Sequence, residues 1–364
     1  MAALVLTADL GGNVPPTLAI ADALVRRGVR VDVAGLDPGR SPLPFVEFAP
    51  ATAINAGSGR RGATEAAAFA RLLVGRRTAT ATRELIEVVR PGVVVVDAML
   101  PAPLRGALDS GVPVVALFHT FGGFWVRSFD AGPAGFALGM LGLRPGRLWA
   151  RAAERLVLTD PELDLSREDP ALTGFTWTGT TEEGAAPRGL RNRVRVLVAL
   201  SSSEWPGMLP VYRNIVAALA TLPVDAVVTT GGVDLGGPVE GAENVRVLGW
   251  ASHAELMPEV DLLVGHGGHS TTLKALAHGL PVLVLPVNPT SDQRLVGGTL
   301  QAAGLGAWLP KSSSPREIAA AVRGMLDDAE LRRRAAATGR RLRAAVPGAE
   351  VAADRIVGLL DAGA

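Results

Sequence analysis

The 364-residue chain has no cysteine and a single tyrosine. Without cysteine there is no disulfide, no thiolate nucleophile and no Cys-ligated zinc, and a reducing, cytoplasmic setting is the expectation. Neither sign of charge is in excess: 36 basic and 35 acidic residues leave a formal net charge of +1. Binding to a nucleic-acid backbone draws on a basic surplus, so no nucleic-acid partner is expected. Long apolar runs are also missing. The longest, such as residues 133–143, fall well short of the roughly 20 residues of a membrane-spanning helix, and no stable membrane insertion is expected. The opening "MAALVLTADLGG" lacks the basic and long apolar regions of a secretory signal. The five histidines form no HExxH pair, and no metal site is expected.

What is present is globular: 48% of residues are hydrophobic and 20% charged. The length predicts two domains. Residues 4–8 form an apolar strand followed by the turn "DLGGNVPP". A helix is predicted over 17–27, with Leu18, Ala21, Leu24 and Val25 on one face and Gly28 as its stop, and a second strand over 29–34. That βαβ unit implies a parallel sheet. The pattern recurs with a strand at 93–96 ending at Asp97, a helix at 104–110 and a strand at 112–118 ending at His119. Residues 35–61 and 121–147 read as irregular Gly/Pro-rich insertions that shape a pocket for a flat, lipophilic ligand.

Residues 178–193 are polar without apolar period and hold the best linker candidate. Alternation then restarts, with strands at 194–200, 226–230, 245–248, 262–265 and 282–286. Helices are predicted over 210–220, 270–278, 315–327 and 329–345, and a last amphipathic helix over 349–360. Two consecutive α/β halves imply two Rossmann-like domains facing across a cleft. The boundaries are 1–180, a linker at 181–191, 192–345, and a C-terminal segment at 346–364.

The densest chemistry lies in "GHGGHSTTLKAL", residues 265–276, between a strand and a helix. Free backbone N–H groups and the positive end of the helix dipole converge there, glycines let a ligand approach, and Ser270, Thr271 and Thr272 add hydroxyl donors. The combination describes an anion site, best suited to phosphate. An ordinary cap at Ser270 or Thr271 would account for one hydroxyl but not for the paired glycines and histidines.

Trp250, then His266-Gly267-Gly268-His269-Ser270-Thr271-Thr272, Gly279, Pro281 and Asp292-Gln293 resemble the donor signature of nucleotide-sugar-dependent glycosyltransferases. The family is family 1 of the GT-B fold, especially bacterial enzymes that decorate natural products. The resemblance implies an α/β, two-domain GT-B protein with an acceptor-binding first half and a donor-binding second half. It also implies that the last helix packs back on the first domain. The donor would be an NDP-sugar, with no other cofactor. Trp250 would stack on the base. His266, Gly268, Ser270 and Thr271 would hold the diphosphate in place of a metal. Asp292 and Gln293 would bind sugar hydroxyls, and Ser201 and Ser202 of "SSS" would form a second phosphate-side loop.

Two departures stand out. Many relatives have a ribose-binding Glu where this chain has Lys274, which favours a dTDP-sugar over a UDP-sugar. The usual general-base histidine is replaced by Asn13, whose amide cannot take a proton but can orient an acceptor. Asp97 and His119 are the replacement candidates, His119 by intrinsic pKa and Asp97 by position, with Asp9 as an outside candidate. The implied reaction is inverting, metal-independent transfer of a (deoxy)sugar to a lipophilic natural-product acceptor, such as an aromatic polyketide or macrolide. A non-catalytic nucleotide-sugar-binding partner and a GT-B sugar-nucleotide epimerase stand as alternatives, and a homodimer stays open. The basic stretch 144–155 reads as a solvated helix face rather than a membrane contact.

Overall fold

The computed structural model describes residues 1–10, 12–36, 39, 42–52, 63–188, 193–201 and 203–363. They form two compact units, Met1–Thr181 with Val346–Ala364, and Glu182–Ala345.

The first unit is built on β1 (Ala2–Leu6), β2 (Arg30–Ala34), β3 (Phe45–Val46), β4 (Val93–Asp97), β5 (Val114–Phe118), β6 (Glu154–Val157) and β7 (Thr176–Trp177). The sheet order is β3-β2-β1-β4-β5-β6-β7, with every pair parallel. Side chains alternate across a strand, so the β-branched run of β4 feeds two cores. Val94 and Val96 join one hydrophobic cluster, and Val93 and Val95 join another. Burial on both faces is why these strands read as continuous apolar runs.

The helix Val14–Arg26 starts three residues earlier than the apolar period alone suggests. Pro15 and Pro16 occupy its first turn, where a missing N–H costs nothing and the fixed φ is already helical. Residues 121–147, expected to be irregular, are largely helical for a related reason. They form a wide helical turn at Phe124–Asp130 and helices at Pro133–Met140 and Pro145–Trp149, each of the latter opened by its proline. Aromatic packing holds them: Phe118 meets Trp125 and Trp149 edge-on at 5.4 and 5.1 Å between ring centroids, with both indoles fully buried. Each such ring removes about 150–250 Å² from water, an upper bound of about 4–6 kcal/mol. Leu148 and Trp149, within the basic stretch, point into this core.

The final helix, Gly348–Ala362, belongs to the first unit, where Ala352, Ala353, Ile356 and Leu360 share a cluster with Ile20, Leu24, Val93 and Val95. Arg27 clamps it, pairing with Glu350 at 2.5 Å and Asp354 at 2.7 Å.

The second unit has β8 (Val194–Ala199), β9 (Val224–Thr229), β10 (Val245–Leu248), β11 (Leu262–Gly265), β12 (Val282–Val284) and β13 (Gly306–Trp308). They are all parallel in the order β10-β9-β8-β11-β12-β13. Residues 182–188, inside the stretch expected to be a linker, are docked on this unit. Ala185 N–H donates to His278 Nδ1 at 3.0 Å, and Arg188 N–H donates to the Pro258 carbonyl at 2.8 Å. No helix among the described residues is long and apolar enough to cross a membrane.

Candidate functional site

In an open parallel sheet, ligands settle beyond the carboxyl ends of the strands where the strand order reverses. The first unit reverses between β1 and β4, and the second between β8 and β11. The chemistry-bearing residues cluster at these two points.

In the first unit, Asp97 ends β4, His119 follows β5, and Asn13 is the N-cap of the helix after β1. The structure brings all three together. The Asp97 side chain has no exposure, and its Oδ2 accepts from Asn13 Nδ2 at 2.8 Å and lies 3.2 Å from His119 Nε2. Its Oδ1 accepts from the Met99 N–H at 2.9 Å. Burial alone would push the Asp97 carboxyl up. The charge and contact of His119, with the Met99 N–H and the Asn13 amide, outweigh burial and hold it below the usual carboxylate range.

The His119 side chain is 7% exposed, and neither ring nitrogen has a hydrogen bond of good geometry despite the short approach to Asp97. A buried imidazole left this way is unusual in a folded chain and calls for an explanation. The Asn13 amide, expected to be able to orient an acceptor, is engaged within the protein. Its Nδ2 is spent on Asp97, Thr7 Oγ1 at 3.0 Å and the Ala8 carbonyl at 3.0 Å, and its Oδ1 accepts the Leu10 N–H at 3.1 Å. The amide is an internal strut.

In the second unit, β11 leads through His266 into the helix His269–Ala277. Both glycines have internal causes. Gly267 is left-handed, with φ 87°, and a Cβ there would meet Val284 Cγ1 at 2.7 Å. At Gly268 a Cβ would stand 2.6 Å from His266 Nε2. Gly268 is also the N-cap, so no side chain caps the helix, and Ser270 and Thr271 lie inside its first turn. The cap reading fails, and the helix dipole opens onto the loop.

His266 is half-buried as a residue, and its Nδ1 is buried without a hydrogen bond of good geometry. Burial pushes its pKa down to about 4, against the opposing pull of the Ala199 carbonyl. At neutral pH it is therefore a neutral group, able to take part in holding a diphosphate as a hydrogen-bonding partner rather than as a charge.

Trp250, just past β10, is 77% exposed and so is no core residue. Three strand spacings separate β10 from β11, placing Trp250 and His266 roughly 14 Å apart along one edge of the sheet. Ser201 follows β8 and is buried, with Oγ accepting from Ser203 N–H at 2.9 Å and Trp205 Nε1 at 3.2 Å. Ser202 lies outside the described residues. Gln293 is buried, and its Oε1 accepts from the Val287 and Asn288 N–H groups at 2.8 and 2.9 Å, shaping the loop after β12. That carbonyl does structural work in the place expected of a sugar ligand. Asp292 is the half-buried N-cap of the helix Gln293–Ala302.

One participant escapes sequence reasoning. Glu182 accepts from Ser270 Oγ at 2.6 Å and pairs with Lys274 Nζ at 3.1 Å. Nothing in "TGTTEEGAAPR" signals a partner some ninety residues away. A cavity of about 380 Å³ between Gly306, Met325 and Arg334 holds none of the expected site residues. Among the described residues no group of three or more His, Asp or Glu is placed to hold a metal ion.

Two parallel Rossmann-like units with these switch points define the GT-B class of fold. Solved structures agree with that assignment. The glycotransferase of kitacinnamycin superposes with a TM-score of 0.77 at 24% identity, over 99% of each chain. Glycosyltransferase VinC, in complex with dTDP, does so with a TM-score of 0.72 at 18% identity, over 100% of each. Residues 213–358 match the family described as "Erythromycin biosynthesis protein CIII-like, C-terminal domain". Demethyllactenocin mycarosyltransferase of Streptomyces fradiae is 34% identical over 175 residues, 46% of this chain. The match spans 36% of that relative's length.

Proposed function

We propose that the protein is a natural-product glycosyltransferase that moves a (deoxy)sugar from an NDP-sugar to a lipophilic acceptor, with inversion and without a metal. The observation that carries the reading is in the second unit. An exposed indole and an uncapped helix N-terminus share the carboxyl edge of one sheet, suited to a base and a diphosphate respectively. Two lines support dTDP as the nucleotide: Lys274 where many relatives carry a ribose-binding carboxylate, and a structural neighbour captured with dTDP. Relatives named for demethyllactenocin and kitacinnamycin support a natural-product acceptor. Phe136 and Met140, 63% and 71% exposed on the helix Pro133–Met140, give the first unit an apolar surface for one. We take the reaction to be cytoplasmic, in keeping with a chain without cysteine.

In this mechanism His119 takes the proton of the acceptor as its oxygen or carbon nucleophile attacks the anomeric carbon. Imidazole is the side chain whose ordinary range brackets neutral pH, whereas Asp97 is held too acidic to be an effective base. Asp97 stabilises the imidazolium that forms, and Asn13 holds Asp97. The bond from the anomeric carbon to the diphosphate breaks as the new one forms. The leaving charge develops against the helix dipole, the Thr271 hydroxyl and neutral His266.

The test is incubation with dTDP- and UDP-sugars and a panel of aromatic and macrolide acceptors, following nucleotide release and glycosylated product. Product with a dTDP-sugar is expected. Tight nucleotide binding without product across the panel would instead establish the non-catalytic binding protein, the alternative raised by the missing histidine at position 13.

A further inference from the structure

We propose that Glu182 is an internal occupant of the anion cradle, which an incoming nucleotide diphosphate must displace. The inference rests on the donor-binding reading of the second unit. A carboxylate is an anion, and this one lies along the flank of the helix His269–Ala277, on the hydroxyl of Ser270 in its first turn and the ammonium of Lys274 in its last. Its side chain is 8% exposed, with Oε1 on Ser270 Oγ and Oε2 on Lys274 Nζ. Ser270 has one hydroxyl proton, and Glu182 takes it. That proton cannot serve a diphosphate oxygen at the same time, and the nearby cation is already neutralised. His266, just before the same helix, is turned toward the Ala199 carbonyl of the neighbouring strand.

The carboxylate is delivered by a strap that runs along the helix. Gly184 packs so closely on Ala277 that a Cβ would come within 2.4 Å of its carbonyl, and Ala185 is tied to His278. Displacement of Glu182 therefore has a mechanical consequence: the strap loses its anchor at the helix N-terminus while keeping the one at His278. Once released, Ser270 can give its hydroxyl proton to a diphosphate oxygen, and Lys274, at the position matching the family's ribose-binding residue, is no longer neutralised. Glu182 thus sets the affinity threshold for the nucleotide and keeps the cradle charge-balanced when empty.

The experiment uses the full chain, with inorganic pyrophosphate, dTDP and thymidine as probes of binding to the wild type and to Glu182→Gln. Expected is binding of pyrophosphate and dTDP at least about tenfold tighter in Glu182→Gln, with thymidine unchanged. Wild-type amide exchange should rise over residues 183–188 when dTDP binds. A Glu182→Gln protein that binds dTDP as the wild type does, or more weakly, overturns the proposal. So does dTDP binding that leaves strap protection unchanged or increased, a readout that needs no variant. Absence of nucleotide binding in wild type and variant alike overturns the donor-site reading together with it, whereas a nucleotide-binding wild type with an unaffected variant removes only the role of Glu182.

Discussion

Replacing Asp97 by asparagine tests the proposed base directly, because the substitution keeps the volume and changes only hydrogen-bond polarity and charge. In the wild type both carboxylate oxygens accept: Oδ1 from the Met99 N–H, Oδ2 from Asn13 Nδ2 with His119 Nε2 alongside. An asparagine has one acceptor end. If its oxygen faces Met99, its NH₂ meets the NH₂ of Asn13; if it flips, its NH₂ meets the Met99 N–H. Either orientation sets donor against donor in a fully buried place, at a cost of about 1–3 kcal/mol for the group left unsatisfied. Asp97→Asn is therefore expected to lower unfolding stability by about 2 kcal/mol, still leaving a folded protein. It also removes the charge that stabilises the His119 imidazolium. Loss of a positioned base costs 10²–10⁴ in rate, and kcat should fall by about that factor. His119→Ala should lower kcat to a similar extent with less effect on stability. Denaturant unfolding, donor affinity and single-turnover transfer measured on both variants separate these effects. If both fold, bind donor normally and retain kcat within about threefold, His119 is not the base and the mechanism fails.

Two further outcomes follow from the second unit. The depressed pKa of His266 means the folded state resists protonation that the unfolded chain accepts. Its contribution is present above the unfolded value of about 6.5 and is lost as pH falls toward about 4, a decline of about 3 kcal/mol. His266→Asn should flatten that part of the stability curve measured by denaturant titration between pH 7 and 4, and an unchanged slope would remove His266 as its source. Trp250→Ala should weaken dTDP binding by about 1–3 kcal/mol, as loss of a stacking face does, while leaving the melting temperature unchanged because the ring is exposed. Full dTDP affinity in that variant would place the base elsewhere.

The sequence makes the strands legible and the contacts between them largely illegible. A β-branched run such as that of β4 has one reading, and a titratable residue at its end falls at the sheet edge whatever surrounds it. Asp97, His119 and His266 were locatable for that reason. Prolines at 133 and 145 misled because a helix-opening proline and a loop proline look alike without the aromatic core that decides between them. The structural duty of Gln293 is likewise invisible in the sequence, where its family position marks a sugar-binding residue but not that its carbonyl organises the loop after β12.

Asn13 shows most clearly what a one-residue reading omits. Taken alone, an amide in place of an imidazole is the loss of a base. Beside Asp97 it is a donor that holds no titratable proton, so it adds to the His119 and Met99 contacts that favour the ionised carboxylate. A histidine at that position would compete with His119 for Oδ2. With asparagine there, Asp97 has one imidazole to serve. On the proposed mechanism the substitution therefore moves the base from the helix after β1 to the end of β5, keeping the same carboxylate as its partner. The prediction peculiar to this argument is that Asn13→Ala, which frees Asp97 from its strut without touching His119, lowers kcat and alters its acid limb, whereas a merely structural amide would change stability alone.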